Sequence, residues 1–188
     1  AAGRQGSLHG DDLTPDLAAG MLMRRTQKHT RQQIRDEIDK LKAQMFVFGG
    51  ESSANASIEV TRDNLAGALR LAAEILREPA FPASELEPLR QENLTELENE
   101  KSDPQQKASV RLQKHLDPWP KGDPRYVETP EESIEAQKAA TLDEVKRFHK
   151  EFYGASAAEI SVVGDIDRKE VKALLTELFS GWKSPKPF

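Results

Sequence analysis

Side chains that commonly carry chemistry are few in this chain. It has four histidines, His9, His29, His115 and His149, and no cysteine. None of the histidines has a second histidine or a carboxylate at the spacing of a known zinc-binding helix, so ordinary helix ends and solvated faces explain them better. The absence of cysteine excludes disulfides, thiol nucleophiles and cysteine–zinc sites.

Acidic residues offer one further candidate. Glu92 and Glu96 stand one helical turn apart in the charged stretch 84–101, where both can lie on the same face of a helix. Taken alone, this pair is more typical of a solvated acidic face than of a ligand site.

The stretch 14–26 is the most informative part of the chain. Thr14 suits an N-cap and Pro15 a first helical position, which predicts a helix over 15–25. Its buried stripe would consist of Leu17, Ala18, Met21 and Leu22. Asp16, Ala19 and Gly20 fall together on the neighbouring face.

Further elements are predicted from caps, periodicity and proline breaks. Helices are expected over 31–43, from the cap Asp63 to Pro79, and over 84–101, 104–116, 131–139, 141–152 and 167–182. Strands are expected at 44–48, 54–61 and 158–164, the first two as a hairpin. The proline-rich stretch 118–130 should be an extended loop.

This order of elements predicts the fold class. It is not a regular βαβ alternation, so we expect an α+β protein with helices layered on one face of a mostly antiparallel mixed sheet. No GxGxxG or phosphate loop occurs, which disfavours a doubly wound nucleotide-binding fold.

Composition limits the classes of function. The 188 residues are 37% hydrophobic and 31% charged with a net charge of −5, as in a globular protein rich in surface helix. No apolar run is long enough to span a membrane. The acidic balance disfavours nucleic acid, and the basic cluster Arg24, Arg25, Lys28, His29 and Arg31 suits the end of the first helix better than a phosphate.

The chain divides into three ranges. Residues 1–12 are glycine-rich and predict a flexible loop, residues 13–182 form one domain, and residues 183–188 have the composition of a linker toward a following domain. The chain starts at Ala1 without a methionine or a signal-like segment, so we interpret it as a piece of a longer protein.

Several stretches, taken in order, resemble the pitrilysin or insulinase-like zinc peptidases. They are 14–26, 77–82, 89–97, 141–154 and 162–165. In that family a helix like 14–26 carries the inverted zinc motif HxxEH, and a second long helix supplies a distal glutamate. On this pattern Asp16, Ala19 and Gly20 occupy the motif positions, and Glu96, 76 positions after Gly20, occupies that of the distal glutamate.

The resemblance implies that the chemistry is lost. A zinc ion in such a site lowers the pKa of its bound water, and the motif glutamate takes the proton. Ala19 offers no proton acceptor, and Gly20 offers no ligand. We therefore expect neither a catalytic residue nor a metal in this chain, with zinc held only by the catalytic domain of the parent protein.

The resemblance also implies a place in the parent. Family members pair homologous domains around a peptide, and the loop 122–126 is similar to one in the second, non-catalytic half of long bacterial members. Arg125 and Tyr126 are candidates for peptide contact, although a loop anchored by Tyr126 is the more common arrangement. Family domains usually begin with strands ahead of the motif helix, so we expect a sheet truncated at the N-terminus.

Our functional hypothesis is a non-catalytic structural and substrate-chamber domain of a zinc metalloendopeptidase. Its expected partners are the catalytic domain of the same parent and a peptide or protein substrate, with self-association of the fragment through an uncovered sheet edge. The alternatives are a scaffold or assembly subunit on the same fold without peptidase activity, and an unrelated helical adaptor. The compartment stays open between bacterial periplasm and cytoplasm, and the resemblance favours the periplasm.

Overall fold

The computed structural model describes residues 14–49, 53–123 and 125–186. Eight α-helices and two strands are found in this part of the chain, in the order α1 (Thr14–Leu22), α2 (Arg31–Lys40), β1 (Gln44–Gly49), β2 (Ala54–Glu59), α3 (Leu65–Arg77), α4 (Ala83–Ser102), α5 (Pro104–Leu116), α6 (Pro130–Ala139), α7 (Leu142–Phe152) and α8 (Arg168–Phe179). The loop expected at 1–12 lies outside the described residues.

The predicted α+β class is confirmed, with a smaller sheet than expected. β1 and β2 pair antiparallel, with Met45 opposite Ile58 and Val47 opposite Ala56. Among the described residues this hairpin is the whole sheet. The strand predicted at 158–164 was wrong, because the segment makes no strand pairing there and a strand is defined by hydrogen bonds to a neighbour.

The core surrounds α1. Leu17, Ala18, Met21 and Leu22 are fully buried, as the helical spacing predicted. α1 packs against α7, β1 and α4. Other apolar residues join the same cluster from the neighbouring elements: Ile34, Met45, Ala68, Leu71, Ala72, Ile75, Phe81, Leu86, Leu89, Val145, Phe148, Phe152 and Tyr153.

Capping explains most helix starts. Thr30 accepts a bond from the Gln33 amide in a capping box before α2. The Asp103 and Asp167 side chains accept bonds from backbone amides at the starts of α5 and α8. The cap predicted at Asp63 was wrong. This residue lies in a 3₁₀ turn over Arg62–Asn64, and α3 starts from Asn64 without a side-chain cap bond.

Some helix ends fall earlier than predicted. α1 stops at Leu22 rather than near 25, because Arg25 forms a bridge with Thr30 and Thr26 forms one with Pro79. These backbone pairs turn the chain out of the helix. α2 stops at Lys40, followed by Lys42 at a positive φ of 48°. α8 stops at Phe179, before the expected 182.

Candidate functional site

The three residues of α1 that the resemblance places at the motif, Asp16, Ala19 and Gly20, have different surroundings. Asp16 lies in the first turn of the helix, Ala19 is buried, and Gly20 is one residue further on. The Asp16 side chain keeps contact with solvent, yet partial desolvation raises its pKa. Tyr153 is buried nearby, and both its burial and the Asp16 charge raise the pKa of its hydroxyl.

Ala19 lies against the hairpin. A Cβ placed on Gly49 of β1 would come within 3.0 Å of the Ala19 Cβ, which is closer than ordinary side-chain contacts. The small residues at both positions therefore let α1 approach β1 closely. A glutamate at position 19 would have to displace the strand.

Gly20 lies against α4. A Cβ placed there would come 3.0 Å from Leu89 Cδ2 and 3.1 Å from Leu89 Cδ1. Leu89 is itself buried in the core, so a larger side chain at position 20 would push into a packed neighbour. This contact gives a packing reason for a glycine inside α1.

Glu96 is exposed on α4, seven residues beyond the Leu89 that contacts Gly20. Among the residues that the structure describes, no group of three or more His, Asp or Glu side chains is arranged to hold a metal ion. The side chains at 19 and 20 have no ligand atoms at all. Positions 16, 19 and 20 together offer one carboxylate, which does not fit the donor set of a zinc site.

A buried arginine joins α1 to α4, which sequence reasoning missed. Arg24 is 6% exposed and donates to Glu85 Oε2 at 3.1 Å and to Glu92 Oε2 at 2.5 Å. Glu85 and Glu92 stand seven residues apart on one face of α4, and that spacing was the available signal. Glu92 therefore balances a buried cation while its own side chain stays 58% exposed.

A hydroxyl, an imidazole and a carboxylate meet between α1 and α3. The buried Thr26 hydroxyl and His29 Nδ1, the latter at 2.7 Å, both bond to the same oxygen of Glu74. Thr26 also accepts bonds from the amides of Lys28 and His29. In a nucleophilic triad the imidazole would lie between hydroxyl and carboxylate. Here the carboxylate lies between them, so the cluster fastens the turn after α1.

The basic residues after α1 are largely paired with carboxylates. Lys28 binds Glu78 at 2.9 Å, and Arg31 lies 3.6 Å from Glu85. With Arg24 and His29 also paired, these basic residues join the segment after the first helix to α3 and α4. These carboxylate pairs compete with phosphate binding at the same side chains.

The loop residues proposed for peptide contact are engaged within the domain. Arg125 forms an ion pair with Asp123 at 2.8 Å, and its guanidinium carbon lies 3.2 Å from the centre of the Trp119 ring. The Tyr126 hydroxyl lies 2.9 Å from Glu132 Oε2 and accepts from Lys114 at 3.0 Å. A peptide contact at either side chain would have to share or replace these bonds.

Glu132 is the centre of that loop anchorage. Bonds from Lys121, from the Thr129 amide and from Tyr126 lower its pKa to about 2. The same carboxylate completes the capping box of α6 with Thr129. One ionised side chain therefore holds both the loop and the helix start.

His149 has a structural role in the core. Its Nε2 lies 2.8 Å from the Leu76 carbonyl oxygen at the end of α3, and its ring packs between Phe81 and Tyr153. Burial lowers its pKa, so the neutral ring is favoured. This bond satisfies one of the carbonyls that a helix end leaves without an intrahelical partner.

Comparison with known proteins finds one matching family model and solved structures with a similar fold. Residues 139–188 match the family model described as the peptidase M16 inactive domain. The crystal structure of a peptidase M16 inactive domain from Pseudomonas fluorescens is 25% identical, with a TM-score of 0.81 over 99% of this chain and 44% of that chain. No curated protein matches the sequence.

Two more distant structures share the fold. A protease from Helicobacter pylori is 18% identical with a TM-score of 0.78, covering 93% of this chain and 42% of that chain. The periplasmic protease PqqL from Escherichia coli is 15% identical with a TM-score of 0.72, covering 99% of this chain and 21% of that chain.

The chain spans less than half the length of each of these three structures, as one domain of a longer protein would. None of the helices in the described ranges is both long and apolar enough to span a membrane. The match over residues 139–188 and the shared fold make this chain similar to the inactive domains of peptidase M16 proteins.

Proposed function

We propose that this chain is a non-catalytic domain of a zinc metalloendopeptidase and forms one wall of the chamber that encloses its peptide substrate. The observation that carries the proposal is the packing of the motif helix. Ala19 lies against Gly49 and Gly20 against Leu89, so α1 serves as a core helix at the positions where a peptidase would hold metal and base.

The catalytic partner in this proposal is another domain of the same parent polypeptide. That domain carries HxxEH and the zinc ion, while the present domain, placed in the second half, supports it and shapes the substrate space. The lengths of the three solved structures leave room for such a partner. The likeness to a periplasmic protease supports the periplasm as the compartment.

Zinc titration tests the first part. We expect the purified chain to show no one-to-one zinc binding in calorimetry at neutral pH and no peptide cleavage, because Ala19 and Gly20 supply neither base nor ligand. Tight one-to-one binding that Glu96→Ala abolishes would overturn this part. Glu98→Ala is the matched control, because Glu98 is also an exposed glutamate of α4.

The parent polypeptide tests the second part. We expect it to bind one zinc outside this chain and to cleave peptides, and we expect deletion of this domain to leave zinc binding while reducing cleavage. A parent without HxxEH and without cleavage would instead establish the alternative, an assembly scaffold on the same fold.

A further inference from the structure

α5 is a basic helix on an acidic protein. Its sequence contains Lys107, Arg111, Lys114 and His115 and no acidic residue, whereas the whole chain has a net charge of −5. None of its residues is buried, and its main contact among the described elements is with α4. Most of the surface of α5 is therefore open to solvent.

Two neighbouring rows of exposed side chains run along α5. The basic row repeats at four-residue spacing and consists of Lys107, Arg111 and His115. The apolar row follows one residue later and consists of Ala108, Leu112 and Leu116. Leu112 is 59% exposed and Leu116 is 67% exposed. Each row extends about 12 Å along the helix axis.

The apolar row lies on the side of α5 that faces away from the domain. Val110 and Lys114 are the half-buried residues of this helix, and all the others are exposed. Leu112 stands roughly 160° around the helix from Val110. An amphipathic helix normally places its apolar stripe against the core. Here no described element covers the two leucines.

The basic row is not neutralised by the domain. Lys114, outside this row, donates to the Tyr126 hydroxyl at 3.0 Å and lies 3.7 Å from Glu132. By contrast, no ion pair joins the three side chains of the basic row to any residue in the part of the chain that the structure describes. Unpaired cations beside exposed leucines are suited to a partner that brings both acidic and apolar groups.

We propose that the exposed face of α5 binds an acidic amphipathic α-helix of another protein. The apolar rows of the two helices pack together, and acidic side chains at four-residue spacing on the partner meet the basic row. The partner is helical because the amides and carbonyls of α5 are used within its own helix, so α5 offers no backbone bonds to an extended segment. The inference does not rest on the proposed function, since it concerns only the charge and apolar surface of this helix.

Charge complementarity favours this occupant over two others. The α5 helix of a second copy has no acidic side chain to pair with the basic row. An anionic membrane would meet only three basic side chains, one of them a histidine, whereas membrane-binding clusters usually hold about four to eight lysines and arginines. The net charge of −5 also opposes the approach of the whole chain to such a membrane.

Synthetic peptides test the proposal on the chain 1–188. The probe is a helical peptide of about 18 residues with glutamates at four-residue spacing beside a row of leucines. The controls are the same peptide with lysines in place of the glutamates, and the acidic peptide interrupted by proline. In fluorescence anisotropy we expect the acidic helix to bind about tenfold more tightly than either control, and more weakly as salt is added. Equal affinity for the three peptides, or no binding of the acidic helix, would overturn the proposal.

Matched variants locate the contact. Arg111→Glu should weaken binding of the acidic helix about tenfold, because it reverses the charge in the middle of the basic row. Arg35→Glu is its control, since Arg35 is an exposed arginine of α2. Leu112→Gln should also weaken binding, and Phe46→Gln is its control because Phe46 is 62% exposed on β1. Equal losses in a variant and its control would contradict binding at α5.

Two further measurements separate this partner from the other occupants. A dimer of the chain 1–188 that Leu112→Gln converts to a monomer in sedimentation would assign the face to a second copy instead. Binding to phosphatidylserine vesicles that Arg111→Glu abolishes, without binding of the acidic helix, would assign it to a membrane. Either result would overturn the proposal. A failed zinc or cleavage assay would leave all of these measurements unaffected.

Discussion

The helices α7 and α8 carry similar apolar stripes but are covered to different degrees. Val145, Phe148 and Phe152 of α7 are buried against α1, whereas none of the α8 residues reaches full burial. α7 meets packed neighbours on its apolar side, and α8 faces a groove beside β2. The amphipathic pattern of the sequence therefore predicts both helices. Whether the apolar face of each helix is buried depends on the neighbouring elements that pack against it.

The largest contrast should come from truncating one phenylalanine in each region. Phe152→Ala removes a ring that is 2% exposed and should cost about 3–5 kcal/mol of unfolding free energy. Phe179→Ala, on the half-buried stripe of α8, should cost no more than about 2 kcal/mol. Urea denaturation of both variants measures the difference, and equal losses would remove the distinction between the regions.

Charge pairs give a second contrast. Arg24→Ala should cost about 1–3 kcal/mol, because it removes the bonds of a buried cation, leaving Glu92 without this partner and Glu85 with Arg31 alone. Arg70→Ala breaks the exposed pair with Glu177 on the α8 side and should have little effect. Thermal denaturation would show the two losses, and a larger loss for Arg70→Ala would be inconsistent with the burial.

A substitution at Gly20 tests how tightly α1 packs against α4. Gly20→Ala should gain up to about 1 kcal/mol from helix propensity but lose more by pressing on Leu89, at a cost of about 1–3 kcal/mol. In a Leu89→Ala background the same change should become stabilising. A double-mutant cycle measures the coupling, which we expect to equal the packing cost of about 1–3 kcal/mol, and a coupling of zero would mean that Leu89 yields freely.

The same packing bears on restoring the motif. We expect Asp16→His, Ala19→Glu and Gly20→His together to destabilise the chain, since Gly49 and Leu89 occupy the space that the new side chains need. The approach of Glu96 to that face stays a prediction, and a zinc titration of the triple variant in a Leu89→Ala background would test it.

The smallest expected effect is a pH dependence at His149. Burial lowers its pKa below the ordinary 6.5, so its neutral form stabilises the fold fully above that pH. Stability should fall as the pH drops below about 6.5, by less than roughly 1.4 kcal/mol per pH unit. Denaturation between pH 8 and 5 on the chain and on His149→Gln measures this, and an equal slope in both would assign the dependence to other groups.

The sequence by itself determined the helices, the hairpin and which residues stand at positions 16, 19 and 20, where the resemblance places the motif. These follow from local information, since caps such as Thr30 and Asp167, helical spacing in α1 and the residue types at 16, 19 and 20 act within a few positions. The resemblance to the pitrilysin-like family has the same origin, because it rests on the order of short stretches such as 77–82, 141–154 and 162–165.

Tertiary structure alone decided which residues meet. Arg24 reaches Glu85 and Glu92, Gly20 faces Leu89, and His149 bonds to Leu76 through contacts between elements far apart in the chain. The segment 158–163 also shows what the sequence alone does not determine. Its composition is that of a strand, but a strand exists only where a neighbour supplies hydrogen bonds, and none of the described residues does so here.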